Sequence, residues 1–442
     1  MAFGRVSTDT RTLQAGDLFV AIEGERFDAH DFLDSAAEKG AAAAVVRRGT
    51  RHDRLALFEV DDTTRALGDL AADVRRRHEG WRGRVVALTG SNGKTTTKEM
   101  LTRILSRRWP TLSNQGNFNN LIGLPLTLLR LEPDHRAAVL EMGMNRPGEI
   151  ARLTEIADPD LGLLTNIGSA HMGELGGFQA VARAKGEMFE KLRPSARAAI
   201  NLDDQWVLAQ ASRFEGEKIG FGFHKKADVR VVGRPGLETD HTRFTLATPD
   251  GRVEVRLRTL GEHNVLNALA AAAAAWGLGA GLDHVAAGLA DFEPFPGRLE
   301  PVTLPGPIHL LDDTYNASPE SMAAAMKVLR TIGPADGRTV LILGDMLELG
   351  RSAEFEHKLL GRAAALMDVG LLVAVGPMCR HTAAAAREAG LDADRALWFP
   401  DAEEAAPWVA QHLQPQDRVL IKGSRGMRME RVRRALEGAG KD

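Results

Sequence analysis

Val85-Val86-Ala87-Leu88-Thr89-Gly90-Ser91-Asn92-Gly93-Lys94-Thr95-Thr96-Thr97-Lys98-Glu99-Met100-Leu101 is the stretch whose reading decides the fold. It opens apolar and β-branched, turns on two glycines and continues as a helix-forming run. That is the pattern of a buried strand, a tight loop and a helix N-terminus. Such a loop offers backbone N–H groups and a helix dipole to an anion, and Lys94 adds a full charge. Thr95 places a hydroxyl where Mg²⁺ can be ligated. The reading is a phosphate-binding loop for a nucleoside triphosphate, with Gly90, Ser91, Asn92, Gly93, Lys94, Thr95 and Thr96 as its contacts. The general phosphate loop is longer, and Leu88 stands where its first glycine would be. On the local pattern alone, an ordinary glycine turn before a helix stays open.

The 442 residues leave room for about three domains of ~150 residues each. The composition is that of a soluble globular protein, and the net charge is −3. The basic runs Arg75-Arg76-Arg77 and Arg431 to Arg434 are short and read as solvated helix faces, so no nucleic-acid surface is expected. No apolar run approaches the ~18 residues of a membrane span, and the alanine-rich Ala268 to Trp276 is too short. The N-terminus lacks a charged region followed by an apolar one, so no signal peptide is expected. A lone Cys379 excludes an internal disulfide framework and fits a reducing compartment, hence a cytoplasmic protein.

The chain is expected to be α/β throughout. Residues 1–83 read as a small N-terminal α/β domain, with strand-like Asp17 to Ile22 and Ala41 to Val46 around a helix-like Phe32 to Lys39. The polar cluster Ser7 to Arg11 is either a solvated turn or a pocket for a polar ligand. In residues 84–298, Glu141 ends the apolar strand Ala137 to Leu140, and Leu161 to Ile167 runs into Gly168-Ser169-Ala170-His171. Ligands of doubly wound sheets sit at the carboxyl ends of strands, so Glu141 and His171 are expected near the phosphate loop. Glu141 and Thr95 offer the oxygen ligands that Mg²⁺ prefers, whereas His171 is a less usual one. Lys185 lies on an amphipathic helix, where a lysine is normally solvated. Asn117, Asn119 and Asn120 belong to a loop that binds a substrate or caps the next helix. Arg243 to Leu246 and Arg252 to Arg256 read as a hairpin around Asp250-Gly251. From residue 299 onward, strands at Ile308 to Leu311, Arg338 to Leu343, Gly370 to Val375 and Arg418 to Ile421 alternate with helices, as in a parallel sheet covered on both faces. Asp313, Asp345 and Lys422 fall at strand ends.

The order of these motifs carries more than any one of them. Thr89 to Thr96 is followed by Glu141-Met142-Gly143, Thr165 to Met172 and Ala184-Lys185-Gly186-Glu187. Gly261 to Ala268, Pro296 to Glu300 and Asp312 to Ala317 follow in turn. In this order the chain resembles the Mur ligase family of ATP-dependent amide-forming enzymes, from about Ser7 to Arg434. Three stretches resemble the member that joins UDP-N-acetylmuramoyl-tripeptide to D-alanyl-D-alanine: Asp9 to His30, Gly344 to Gly350, and Lys422 to Arg425 with Met429-Glu430. The Asp-Asn-Pro-Arg signature of the member adding the third residue is absent.

The resemblance implies a UDP-substrate domain (1–83), a central ATPase domain (84–298) with a mostly parallel sheet, and a C-terminal Rossmann-like domain (299–442). It implies ATP on Lys94 and the loop amides, one Mg²⁺ on Thr95 and Glu141, and a second near His171 and a carbamylated Lys185. Asn267, Arg298, Asp313 and Asn316 match nucleotide contacts. Asp9, Thr10 and Arg11 would face the uridine, and Asn117, Asn119 and Asn120 the muramoyl-peptide. Lys422, Ser424 and Arg425 would lie near the dipeptide or the closing interface, and Asp345, at its strand end, is expected to bind substrate. Members usually carry a further helix and strand before Asp9, so a shortened first domain is expected. A monomer in the cytoplasm is expected. The rivals are another ligase of the family, a folate polyglutamate ligase, or a phosphate-loop switch or transport ATPase.

Overall fold

The computed structural model describes residues 3–24, 27–81, 83–168, 175, 177–238, 240–304, 306–332 and 337–438. Three separate sheets divide the described chain. The central one has nine strands, and Val85–Thr89 lies inside it with all five residues buried. Parallel partners flank it on both sides, Ala137–Glu141 and Leu161–Leu164, with Leu88 opposite both Glu141 and Leu163. Three strands therefore deliver their carboxyl ends to the glycine turn at Gly90. Beyond Leu161–Leu164 the sheet continues in parallel through Arg197–Asn201, Glu217–Gly222 and the start of Val229–Leu237. It closes in an antiparallel edge, where Thr242–Thr248 pairs with Gly251–Leu257 through Thr248 opposite Gly251. The expected hairpin is that edge.

Alternation along Val85–Thr89 sorts its side chains into two cores. Val86 and Leu88 pack with Met100, Leu101 and Ile104 of the helix Lys94–Ser106 and with the alanine helix Glu262–Gly277. Val85 and Ala87 pack on the other face with Ile150 and Leu153 of Glu149–Ala157 and with Val181 and Met188 of Phe178–Lys191. Ala268 to Ala275 are all buried. A strand hydrophobic on both faces needs a helix layer on each, and this one has both.

The N-terminal sheet joins Val6–Ser7, Leu18–Val20, Ala43–Arg47 and Ala56–Val60 in parallel. The last strand was not among the expected elements; it is largely exposed, so its periodicity is weak, whereas the helix Thr63–Arg77 carries the arginine run read as helical. The C-terminal sheet runs in the order Glu300–Leu304, Ile308–Asp313, Arg418–Lys422, Thr339–Gly344, Leu371–Val375, Ala396–Phe399. Its first strand is antiparallel, the rest parallel. Asp313 and Lys422 lie directly opposite one another at the strand ends.

The arginine runs are not simply solvated faces. Arg75 is buried, donates to the carbonyls of Ala157 and Asp158, and lies 5.8 Å over the Trp81 ring. Arg433 pairs with Glu300 and Asp312. A long cationic stem packs apolar surface well when its head finds carbonyls or carboxylates, and composition does not reveal such partners. Among the described residues no helix is long and apolar enough to cross a membrane.

Candidate active site

The turn after Val85–Thr89 is held from the neighbouring strand end. Ser91 N–H donates to the Asn166 carbonyl (2.9 Å), and Asn92 N–H donates to Asn166 Oδ1 (2.9 Å). The Asn92 carbonyl accepts from Thr165 Oγ1 and Asn166 Nδ2. Gly93, at φ +80°, adopts the left-handed conformation and starts the helix Lys94–Ser106. A Cβ there would stand 2.2 Å from Asn267 Oδ1, and one on Gly90 1.9 Å from Thr165 Oγ1. Both glycines are therefore required by contact as well as by turn geometry. Lys94 Nζ lies back over the turn, donating to the carbonyls of Gly90 (2.8 Å) and Ser91 (3.2 Å). Burial lowers its pKa, with Glu141 opposing and Arg298 adding to the effect.

Glu141 is buried at the next strand end. Its Oε1 accepts from Asn119 Nδ2 (2.9 Å), and its Oε2 is buried with no hydrogen-bond partner. A buried carboxylate oxygen left without a donor is costly unless a cation completes it. Thr95 lines the same cleft, so a carboxylate and a hydroxyl are available to a hard divalent ion.

The C-terminal sheet forms the opposite wall of a cleft of about 390 Å³. Arg298 crosses it, donating from Nη2 to Thr95 Oγ1 (3.2 Å) and stacking 4.1 Å over the Tyr315 ring. Ser318 Oγ donates to Asn92 Oδ1 (3.3 Å), a second bridge. Lys422 Nζ donates to Asp313 Oδ2 (2.6 Å) and to the Asn316 carbonyl (2.8 Å). Burial pushes the Asp313 carboxyl up, against the pull of Lys422. Ser424 Oγ accepts from Leu347 N–H (2.9 Å), and Arg425 also lies over the Tyr315 ring, at 5.6 Å.

The cleft therefore gathers Ser91 to Thr96, Asn119, Glu141, Asn267, Arg298, Asp313, Asn316, Lys422, Ser424 and Arg425. Lys185 is 1% exposed rather than solvated, and burial beside Lys94 holds its pKa well below the usual lysine range. His171 lies outside the described residues.

Other expected positions fall elsewhere. Asp345 does not line the cleft. It is buried, and its carboxylate accepts from the N–H groups of Cys379 (2.7 Å) and Met378 (3.1 Å) at the start of the helix Cys379–Glu388. A strand end faces a ligand only where no helix start claims it, and here one does. Asn120 Oδ1 accepts from Ile122 and Gly123 N–H, tying the start of the helix Gly123–Leu128, and Asn117 is exposed. Asp9 and Arg11 pair with each other in an exposed turn of the N-terminal sheet, and Lys39 Nζ donates to the Thr10 carbonyl.

Sequence reasoning missed Tyr315 and His263 in the cleft, and the buried His357 beside Asp345. His357, Asp345 and Cys379 cluster closely, yet each donor is engaged within the protein. Met346 N–H donates to His357 Nε2 (3.1 Å), its Nδ1–H donates to the Ala353 carbonyl (2.7 Å), and the thiol donates to the Leu343 carbonyl (3.3 Å). The single tyrosine between two motif arginines was the one signal available.

Residues 88–275 match the Mur ligase middle domain, 297–425 the Mur ligase glutamate ligase domain and 3–75 the Mur ligase family catalytic domain. The chain is 42% identical over 436 residues to the UDP-N-acetylmuramoyl-tripeptide–D-alanyl-D-alanine ligase of Escherichia coli (strain K12), covering 98% of this chain and 94% of that one. MurF from Acinetobacter baumannii superposes with a TM-score of 0.89 at 39% identity, covering 98% of this chain and 93% of that one. MurF ligase from Thermotoga maritima, solved in complex with ADP, gives 0.87 at 30%, covering 99% and 98%.

Proposed function

The chain belongs to the Mur ligase family, and from that premise we propose that it joins D-alanyl-D-alanine to UDP-N-acetylmuramoyl-tripeptide, using ATP. The product is the UDP-N-acetylmuramoyl-pentapeptide of peptidoglycan synthesis. The near-full-length similarity to ligases of this activity carries the reading, and the Arg298 bridge supports one nucleotide cleft shared by the central and C-terminal sheets. One guanidinium from the C-terminal side meets the Thr95 hydroxyl of the phosphate loop across a single cleft.

A carboxylate is a poor electrophile, and ATP makes it a good one. The terminal carboxylate of the tripeptide attacks the γ-phosphorus, the bond to the β-phosphate oxygen breaks, and an acyl phosphate and ADP form. The free amine of D-alanyl-D-alanine attacks the acyl carbon, loses a proton, and the tetrahedral intermediate expels phosphate to leave the amide. Lys94, Arg298 and the N–H groups at the start of the helix Lys94–Ser106 neutralise charge on the transferring group, the Ser91 and Asn92 N–H groups being taken by Asn166. Asn267, Asp313 and Asn316 line the nucleotide side of the cleft. Two walls closing on the acyl phosphate exclude water from it.

Thr95 and Glu141 would hold one Mg²⁺, which supplies charge neutralisation at the phosphate oxygens; the orphaned Glu141 Oε2 supports this. A second ion is assigned to His171 and Lys185. Burial lowers the Lys185 pKa and so favours the neutral amine, the form that adds CO₂, which supports its carbamylation. Asn117, Asn119 and Asn120 are assigned to the muramoyl-peptide, Lys422, Ser424 and Arg425 to the dipeptide side, and Asp9, Thr10 and Arg11 to the uridine. The domains are assigned as 1–83, 84–298 and 299–442, in a cytoplasmic monomer.

Phosphate release from ATP and Mg²⁺ with UDP-muramoyl-tripeptide tests the reading. Release requiring D-alanyl-D-alanine, with a pentapeptide product, is expected. Release that ignores both substrates would replace the ligase with a switch or transport ATPase. Release driven by a different amino acid would move the chain within the family.

A further inference from the structure

Behind Glu141 lies a buried polar knot that the reaction does not use directly. Asn114 is 2% exposed, just past the strand Thr111–Ser113. Its Oδ1 accepts the Glu141 N–H (2.8 Å), and its Nδ2 donates to the Glu141 carbonyl (2.8 Å) and the Phe118 carbonyl (2.9 Å). One amide thus gives residue 141 both bonds that a further strand residue would give, and reaches the 115–120 loop as well. The Asn114 carbonyl in turn accepts from Lys98 Nζ (2.7 Å). Lys98 is 1% exposed, one helical turn after Lys94, and its charge is balanced by Glu99 (2.9 Å). The loop is tied back a second time, by Asn119 Nδ2 to Glu141 Oε1 and by Gly143 N–H to the Asn119 carbonyl (2.8 Å).

We propose that Asn114 is a positioning residue: its side-chain amide ties the backbone of Glu141 to the 115–120 loop through Phe118, and its backbone carbonyl anchors the phosphate-loop helix through Lys98. It touches no reacting atom. A side chain gripping both backbone groups of residue 141 fixes the direction in which that carboxylate leaves the sheet. The same side chain fixes the loop that carries Asn119. Metal-dependent nucleotide binding and UDP-substrate binding therefore share one hinge point.

The inference rests on the ligase reading, and the test separates the two. ADP affinity of the full chain is measured by calorimetry with Mg²⁺ and with EDTA, and the KM for UDP-muramoyl-tripeptide is taken from phosphate release. A parent chain that binds no ADP with Mg²⁺ would sink the ligase reading rather than this inference. In Asn114→Ala, the gain in ADP affinity from Mg²⁺ is expected to fall about tenfold, as for a lost outer-shell partner, with ADP affinity in EDTA unchanged. The KM for the tripeptide is expected to rise in the same variant. A folded Asn114→Ala that loses thermal stability but keeps both values would leave the residue a purely structural one and overturn the proposal. If Asn114→Ala does not fold, Lys98→Met keeps the length and apolar body of the stem and removes its bond to Asn114. A fall in the Mg²⁺ gain smaller than that of Asn114→Ala is expected there, since one link of the knot is lost while the amide stays. An unchanged gain would overturn the proposal.

Discussion

The pair Asp313 and Lys422 decides whether two motif residues act as ligand contacts or as the frame of the cleft wall. They stand opposite in register, 2.6 Å apart, with side chains 12% and 3% exposed. Asp313 Oδ1 also accepts from Leu299 N–H (3.2 Å), and Lys422 also donates to the Asn316 carbonyl. Removing either charge leaves the other buried and uncompensated, which costs about 3–5 kcal/mol. At about 2–4 °C per kcal/mol for a domain of this size, Asp313→Asn or Lys422→Met should lower the melting temperature by roughly 10 °C. The double variant buries no net charge, keeps an acceptor for Leu299 N–H, and should recover about 2–3 kcal/mol of the summed loss. Thermal melts of the four proteins, followed by circular dichroism, give the cycle. Single variants that melt with the parent, or losses that simply add, would refute the argument and return both residues to a purely ligand-facing role.

Three further outcomes follow from named contacts. Gly93→Ala meets a left-handed backbone penalty of about 1–2 kcal/mol and the Asn267 contact, so ADP affinity should fall at least about tenfold; calorimetric affinity equal to the parent's would show that the turn relaxes freely. Asp345→Ala orphans the Met378 and Cys379 N–H groups and should cost about 2–4 kcal/mol of stability; a normal melt with a raised KM for D-alanyl-D-alanine would instead make Asp345 a ligand contact. Burial, helped by Lys422, pushes the His263 imidazole down from 6.5 to about 4. The unfolded chain then binds a proton that the folded one refuses, so this contribution is complete above pH 6.5 and fades as the pH falls towards 4. It amounts to at most about 3 kcal/mol, and His263→Gln should flatten the fall in melting temperature over that range; an unchanged slope would place the proton elsewhere.

What the sequence by itself determined is local and periodic. A continuous apolar run, two glycines and a helix-forming tail require a buried strand turning into a helix, and the order of motifs around it identifies the family. Asp250-Gly251 between alternating strands likewise sets a hairpin, because those signals act between near neighbours. Tertiary structure alone decided which strand ends share a cleft and which are claimed by another element. Asp313 and Asp345 read alike, each an aspartate after an apolar strand. The first meets Lys422 across the sheet at the cleft wall, and the second is taken by the start of the helix Cys379–Glu388. Lys185 and Arg75 look like solvated helix charges until distant strands and helices bury them. Asn114 shows nothing in the sequence, since its partner Glu141 is 27 residues away. Burial and hydrogen-bond partnership between remote residues arise only when the sheets assemble, and these set the charge state and direction of the side chains that do the chemistry.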